Sequence, residues 1–202
     1  GFYILDDYTP LRELTMRGEI MDQQAHIFQI PSAKMYHKTR SKYGQGSTYY
    51  TAGNPDFGAQ ITYHLKEVPE TMRQARRARE KELFEQQQPI PQPTREMLRA
   101  EAAEVAPYLV FNISDETGMP VRRITKKAGK GTDRFTWDLR YHYPSPVDIE
   151  RGDFDAASDS RSGTMVMPGT YKVSMDLVAG EEITRLVDPV AFDAEPLEMN
   201  TL

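Results

Sequence analysis

The sequence of 202 residues contains no cysteine. This absence excludes disulfide bonds, zinc sites built from thiolates and cysteine nucleophiles together. It leaves the cellular compartment open, because many exported bacterial proteins also lack cysteine.

Long apolar runs are missing as well. No segment reaches the roughly 20 apolar residues that a helix needs to cross a bilayer. The amino terminus also lacks the basic region followed by an apolar region that marks a signal peptide. We therefore predict no membrane insertion and expect any export signal to lie outside this sequence.

Positive charge is not concentrated in any part of the chain. The net charge is -5, and the one dense basic run, residues 73–79, lies among glutamates. A surface that follows a phosphate backbone needs basic side chains clustered without neighbouring acids. The sequence therefore predicts no nucleic-acid partner.

The residue patterns of common catalytic centres are missing too. The histidines show no H-E-x-x-H spacing, the serines no G-x-S-x-G elbow and the glycines no phosphate-binding arrangement. The 30 acidic residues make chance carboxylate pairs common, so such pairs in sequence do not indicate glycoside chemistry. We predict no catalytic residue, no cofactor and no metal site; a hydrolase would need a cleft with two facing carboxylates.

One acidic loop, residues 148–159, has enough carboxylates to raise the question of calcium. Its spacing does not follow the alternating ligand positions with a central glycine of an EF-hand loop. A solvated loop is the favoured interpretation, and calcium binding there is left open. The acids concerned are Asp148, Glu150, Asp153, Asp155 and Asp159.

What the sequence does contain is a series of short β-type segments separated by turn formers. Residues 59–65 alternate apolar and polar side chains, which predicts a half-buried strand. Further strands are predicted at 108–114, 121–124, 133–140, 170–178 and 182–187. Strands at hairpin spacing favour a mainly β fold, namely an antiparallel immunoglobulin-like (Ig-like, fibronectin III-like) β-sandwich.

A change of composition interrupts these strands at residues 67–106, which are rich in Glu, Arg, Gln and Ala. A helix with a thin apolar stripe is predicted over residues 69–88, ended by Pro89, and Thr94 is expected to cap a second, shorter helix. We interpret residues 67–106 as a helical hairpin inserted in a sandwich formed by residues 51–66 and 107–202.

The first 50 residues are predicted to be a strand followed by a linker. Residues 2–5 form a β-type run that has no partner strand nearby, and residues 25–50 give only short mixed segments. The unpaired strand is a route by which the chain could self-associate.

Three stretches, residues 119–124, 131–140 and 167–173, together resemble the Ig-like domain of flagellar hook-capping proteins, which also ends many exported bacterial proteins. Leu139 stands where shorter members of that family have glycine in a Trp-Asp-Gly-Arg motif.

Residues 1–12, 54–66, the charged insert and Trp137 to Arg140 also resemble, in this order, a more specific group. These are large secreted bacterial proteins with sortilin-type or BNR-repeat β-propellers, often described as glycosyl-hydrolase-like. The resemblance covers nearly the whole chain and matches their carboxy-terminal portion. It implies that residues 2–5 are the last propeller strand, that the propeller is the partner, and that any active site lies in the propeller.

Several motif residues have a structural and a functional interpretation. Trp137 could stack on a sugar, but its alternation with Phe135 and Leu139 favours a place in the core. Asp138 and Arg140 then point the other way and are expected to pair with each other or with backbone. Pro168 and Gly169 are expected to set a turn before a strand.

Four exposed tyrosines of the amino-terminal part, Tyr8, Tyr43, Tyr49 and Tyr50, are the candidate contact surface. The expected function is a noncatalytic carboxy-terminal module of a larger exported protein, acting in the periplasm, at the cell surface or outside the cell. Its partners would be the propeller and, beyond it, a glycan or a cell-surface protein. The alternative is a carbohydrate-binding accessory module of a polysaccharide-degrading enzyme.

Overall fold

The computed structural model describes residues 7–36, 56–144, 155–157 and 161–197. The helices are α1 (Thr9–Met16), a 3-10 turn (Gly18–Asp22), α2 (Met72–Glu85) and α3 (Arg95–Ala103). The strands are β1 (Ala25–Ile27), β2 (Ala33–Met35), β3 (Ala59–Leu65), β4 (Tyr108–Asp115), β5 (Pro120–Lys127), β6 (Gly131–Trp137), β7 (Arg140–His142), β8 (Ser162–Met165), β9 (Gly169–Ala179) and β10 (Glu182–Pro196). The predicted mainly β fold is confirmed.

The strands form two main sheets and one ribbon. The three-stranded sheet has the order β1-β3-β6, and the five-stranded sheet has the order β2-β10-β9-β4-β5. Neighbours are antiparallel except β2, which runs parallel to β10 and makes the larger sheet mixed. Strands β7 and β8 pair separately and are called the β7–β8 ribbon below.

The core lies between the two main sheets. Phe111 of the five-stranded sheet contacts Tyr63 and Phe135 of the three-stranded sheet, with ring centroids 4.9 and 4.6 Å apart. Trp137 packs edge-on against Tyr171, across the same interior, at 5.3 Å. Burying such rings contributes roughly 1.5–3 kcal/mol each. The arrangement is compatible with a β-sandwich.

Strand β3 is buried on both faces, whereas the sequence predicted a half-buried strand. Ala59, Ile61, Tyr63 and Leu65 face the core as expected, but Thr62 and His64 are buried too. Residues 7–28 are called the N-terminal strap below; the carbonyl of Asp7, at its start, accepts from Arg134, which donates to the Thr62 hydroxyl on this second face. Ile20 and Phe28 are completely buried outside the main core cluster, and the Phe28 N–H donates to the Thr62 carbonyl at 3.0 Å.

The segment interpreted as a linker supplies strands to both sheets. β1 pairs with β3, and β2 pairs with β10, near the far end of the described chain. Ile27, Ile30 and Ala33 are part of the core cluster. The three-residue strands carry too little periodicity to be told from a packed linker, and their partners are distant in sequence.

Two strand boundaries differ from the predicted ones. The strand predicted over 133–140 ends at Trp137, because Leu139 has a left-handed backbone (φ 55°) and Arg140 starts the ribbon. Strand β10 continues past Val187 to Pro196, with register shifts that accommodate Asp188 and Pro189.

The two helices of the insert form as predicted. Thr71 caps α2 with a reciprocal capping box to Gln74, and the Thr94 hydroxyl caps α3 by accepting from the Met97 N–H. At the base of the hairpin, the Glu104 carboxylate after α3 accepts from the Met72 N–H at 2.8 Å. Within the described residues, no helix has the length and apolar character needed to cross a membrane.

Candidate functional site

The motif residues of the sequence converge on the β7–β8 ribbon. Arg122 of β5 is only 6% exposed. Its Nη1 donates to the carbonyl oxygens of Tyr141 and Arg161, each at 3.0 Å, and so joins the five-stranded sheet to both arms of the ribbon. Sequence reasoning missed this role, although the Val-Arg pair belongs to the motif, because a charged residue in a strand is normally read as exposed.

Trp137 and Arg140 hold the same ribbon from its first strand. The Trp137 Nε1–H donates to the Arg140 carbonyl at 3.1 Å, and Arg140 Nη1 donates to the Gly163 carbonyl at 3.0 Å. Arg140 therefore bonds backbone, one of the two expected alternatives, while Asp138 is partly exposed. Trp137 is 1% exposed, so its ring is not available for stacking on a ligand.

Gly163 allows β8 to approach β7 closely. A Cβ at this position would lie 2.8 Å from the His142 carbonyl oxygen, which a side chain cannot tolerate without backbone movement. The ribbon thus depends on a glycine in β8 as well as on the arginines.

Tyr171 fixes the turn before β9. Its hydroxyl donates to the Met167 carbonyl, four residues earlier, at 2.6 Å. Burial raises the pKa of Tyr171, so the hydroxyl keeps the proton that it donates. Between them lie Pro168 and Gly169, where Gly169 has a positive φ of 157° as it opens β9. A bend at Pro168 precedes β9.

Leu139 completes this group of contacts. Its side chain is completely buried, its φ is 55°, and its carbonyl accepts the Val166 N–H at 2.8 Å. A left-handed backbone at a branched or bulky residue costs roughly 1–2 kcal/mol relative to glycine. Burial of the side chain offsets that cost at this position.

Each of the following groups has a pKa that its surroundings move further from pH 7. Burial, reinforced by Asp133, raises the pKa of Tyr63, and hydrogen bonds from Arg76 lower the pKa of Glu101. The Thr117 hydroxyl lowers the pKa of Asp115, and Lys34 lowers that of Glu195. A general acid or base works best with a pKa near the working pH. These groups are set to hold structure rather than to exchange protons.

A cleft of about 490 Å³ lies where the hairpin meets the sheets. It is lined by residues 102–108, Lys127, Ala128 and residues 155–157. Its two carboxylates are Glu104, which accepts the Met72 N–H, and Asp155, which accepts the Ala157 N–H at 2.9 Å. Both carboxylates at this cleft therefore hold local backbone.

A second groove, of about 370 Å³, lies between the helices of the insert. Its lining combines apolar side chains of both helices, including Met72, Ala75, Met97 and Ala100, with Arg79 at its edge. Met72 and Met97 are about half exposed. Arg76 and Glu101 line the groove as well, and the sequence predicts only the thin apolar stripe of α2 that borders it.

The predicted contact tyrosines are only partly described. Tyr8 is 57% exposed, with the Arg12 guanidinium 5.7 Å from its ring centroid. Tyr43, Tyr49 and Tyr50 lie outside the described residues, as do residues 2–5. The structure adds Tyr141, in β7, and Tyr143, directly after β7; they are 38% and 42% exposed.

Metal binding finds no support in the described part of the chain, where no cluster of three or more His, Asp or Glu side chains is placed to hold an ion. The acidic loop lies outside that part except for residues 155–157.

Comparison with known proteins gave no match: no family model, no curated protein and no solved structure is significantly similar to the chain. The family suggested by the motifs remains a resemblance, and function must be argued from geometry.

Proposed function

We propose that this chain is a noncatalytic Ig-like module that supports a preceding β-propeller as the carboxy-terminal part of a larger exported protein. The order of strands supports the Ig-like part of this proposal, and the motif resemblance supports the propeller and the export. The orders β1-β3-β6 and β2-β10-β9-β4-β5 correspond to strands A-B-E facing A′-G-F-C-C′, an arrangement of the Ig-like type. The parallel pair β2–β10 takes the place of A′ beside G.

The Tyr171 hydrogen bond supports the same assignment. In Ig-like sandwiches a tyrosine near the start of strand F donates its hydroxyl to backbone a few residues upstream, which is called a tyrosine corner. Tyr171 lies near the start of β9, the F position, and donates to the Met167 carbonyl.

Leu139 adds support to the motif resemblance. The family has glycine at this position, and glycine is favoured where φ is positive. Here φ is 55° although the residue is leucine. The backbone keeps the geometry that glycine would adopt freely.

The N-terminal strap supports a mechanical role. Glu13 of α1 lies 2.9 Å from His26 Nε2 and also accepts the Gln29 N–H at 2.9 Å. At the start of the strap, the Asp7 carboxylate lies 3.8 Å from Arg134 of β6. Ile20 is completely buried as well, so the strap is held by contacts at several points. A domain joined before residue 7 would therefore be held in a fixed position, without a flexible tether.

The experiment uses the full-length protein and a version that lacks residues 7–202. If the module supports the propeller, the propeller unfolds at a lower temperature when the module is removed. The kinetic constants of any activity, measured at low temperature, stay within about twofold of those of the full-length protein. Unchanged thermal unfolding of the propeller would argue against support, and an activity that resides in residues 7–202 alone would refute the noncatalytic assignment.

A glycan-binding role is the second candidate, and Tyr141 with Tyr143 is the observation that favours it. Tyr141 lies in β7 and Tyr143 directly follows it, two residues apart, and both rings are partly exposed. A glycan array on this chain tests the role. Glycan binding that is lost in Tyr141→Ala and kept in Tyr8→Ala would establish this role. If no glycan binds, support of the propeller is the one remaining candidate function.

A further inference from the structure

The helical insert lacks cover on its apolar groove. Against the described part of the chain, neither α2 nor α3 buries a single residue. Short helices in water gain most of their stability from tertiary packing of an apolar face. The two helices are joined by Arg76, which donates to Glu101 of α3 at 2.6 Å and to Glu80 at 2.6 Å, while the groove beside them stays open.

The charges of α2 are arranged against its own dipole. Its arginines all precede its glutamates, with Lys81 among the glutamates; the residues are Arg73, Arg76, Arg77 and Arg79, then Glu80, Glu82 and Glu85. The first turn has no acid of its own and the last turn has no base. Helix dipoles favour the opposite order. The Glu104 carboxylate at the Met72 N–H complements the dipole at the first end only, so the acidic last turn needs another explanation.

An antiparallel copy of the same helix supplies that explanation. When α2 lies antiparallel to α2 of a second chain, the basic half of each faces the acidic half of the other. Such a pairing is closed and symmetric, because the same patch serves both partners. We propose that the groove between α2 and α3 is a dimerisation surface, occupied by the hairpin of a second copy of this chain in a four-helix arrangement.

Helical spacing identifies the side chains at the contact. Ala75, Arg79 and Glu82 are four and three residues apart and so lie along one stripe of α2, with Ala75 and Arg79 at the groove. A two-fold axis between positions 79 and 82 brings Arg79 of each copy against Glu82 of the other. Ala75 and Ala100, both small, permit close approach of the second hairpin.

Sedimentation of the whole chain over a range of concentrations tests the proposal. The chain of 23.1 kDa is expected to reach twice that mass as concentration rises. Arg79→Glu places glutamates against Glu82, and Glu82→Arg places arginines against Arg79. Each change is expected to weaken the dimer by about tenfold or more, because like charges meet across the interface.

Two further variants separate this contact from general damage. The double variant R79E/E82R restores opposite charges and is expected to dimerise as the original chain does. Arg77→Glu makes the same charge change on the far side of α2 and is expected to leave the dimer intact. Circular dichroism confirms that each variant keeps its helices.

Three results would overturn the proposal. A monomer at every concentration means that the groove is covered by another segment of this chain or by a different protein. A dimer that is insensitive to Arg79→Glu and Glu82→Arg forms elsewhere, for instance through an unpaired strand. Failure of the double variant to recover means that charge pairing between copies of α2 does not hold the dimer.

Discussion

Arg122 shows how a single residue can join separate parts of the sandwich. Burying a charged side chain is costly unless it is hydrogen-bonded, and this guanidinium donates to two carbonyls of the β7–β8 ribbon. The neighbouring Arg123 is exposed and donates to the Asn112 side chain at 3.3 Å. Two adjacent arginines thus have very different roles.

We expect Arg122→Met to destabilise the fold, because it leaves the Tyr141 and Arg161 carbonyls without this donor. The expected loss in free energy of unfolding is about 1–3 kcal/mol. Arg123→Met is the matched control and should change stability by less than about 0.5 kcal/mol. Urea unfolding measures both, and equal effects would disprove the role given to Arg122.

Leu139 allows a test of backbone strain. Replacement by Ala or by Gly removes the same buried side chain, at a cost of about 2–5 kcal/mol. Because φ is 55°, Gly relieves strain that Ala retains. Leu139→Gly is therefore expected to be more stable than Leu139→Ala by about 1 kcal/mol. If Leu139→Ala is instead the more stable variant, position 139 does not have a left-handed backbone.

Asp115 gives the fold an acid-sensitive turn. Hydrogen bonds from the Thr117 hydroxyl, and from the N–H groups of Thr117 and Met119, lower the pKa of Asp115 in the folded chain. A group with a depressed folded pKa stabilises above its unfolded pKa, near 4, and loses this contribution as the pH falls through the folded value. We expect Asp115→Asn to reduce the fall in stability below about pH 5. Urea unfolding at several pH values checks this, and identical pH profiles would exclude it.

At the scale of elements, local signals were readable from the sequence and distant pairings were not. The caps Thr71 and Thr94, the turn after Asp115 and the alternation in β3 all depend on neighbours in the chain. The pairing of β2 with β10 joins residues such as Lys34 and Glu195, far apart in sequence. A three-residue strand can be recognised only when its partner strand is known. The sequence alone therefore predicts a linker for this segment.

The helical insert is expected to be dispensable for the sandwich. Replacing residues 70–105 by a short flexible linker keeps Val68, which packs on the core, and removes helices that bury no residue among those described. Stability should change by no more than about 1 kcal/mol, since loop-closure entropy depends weakly on length. Fluorescence of Trp137 reports the core during urea unfolding. Loss of its cooperative transition would show that the insert is needed for folding.

At the scale of the whole molecule, the first and last described segments close the fold. β2 lies beside β10, and the Phe28 N–H and the Gln24 carbonyl bond the strap to β3 and Lys66. The buried aromatic residues join the two sheets. We propose that a module built in this way holds a neighbouring domain through the strap.

Hydrogen exchange of the amides that bond the strap to β3 and Lys66 tests that claim most directly. The Phe28 N–H donates to the Thr62 carbonyl, and the Lys66 N–H donates to the Gln24 carbonyl at 2.9 Å. We predict that these amides exchange as slowly as those in the centre of β9, through global unfolding. Exchange as fast as that of an exposed loop would mean that residues 7–28 are a flexible tether, and would contradict the proposed support.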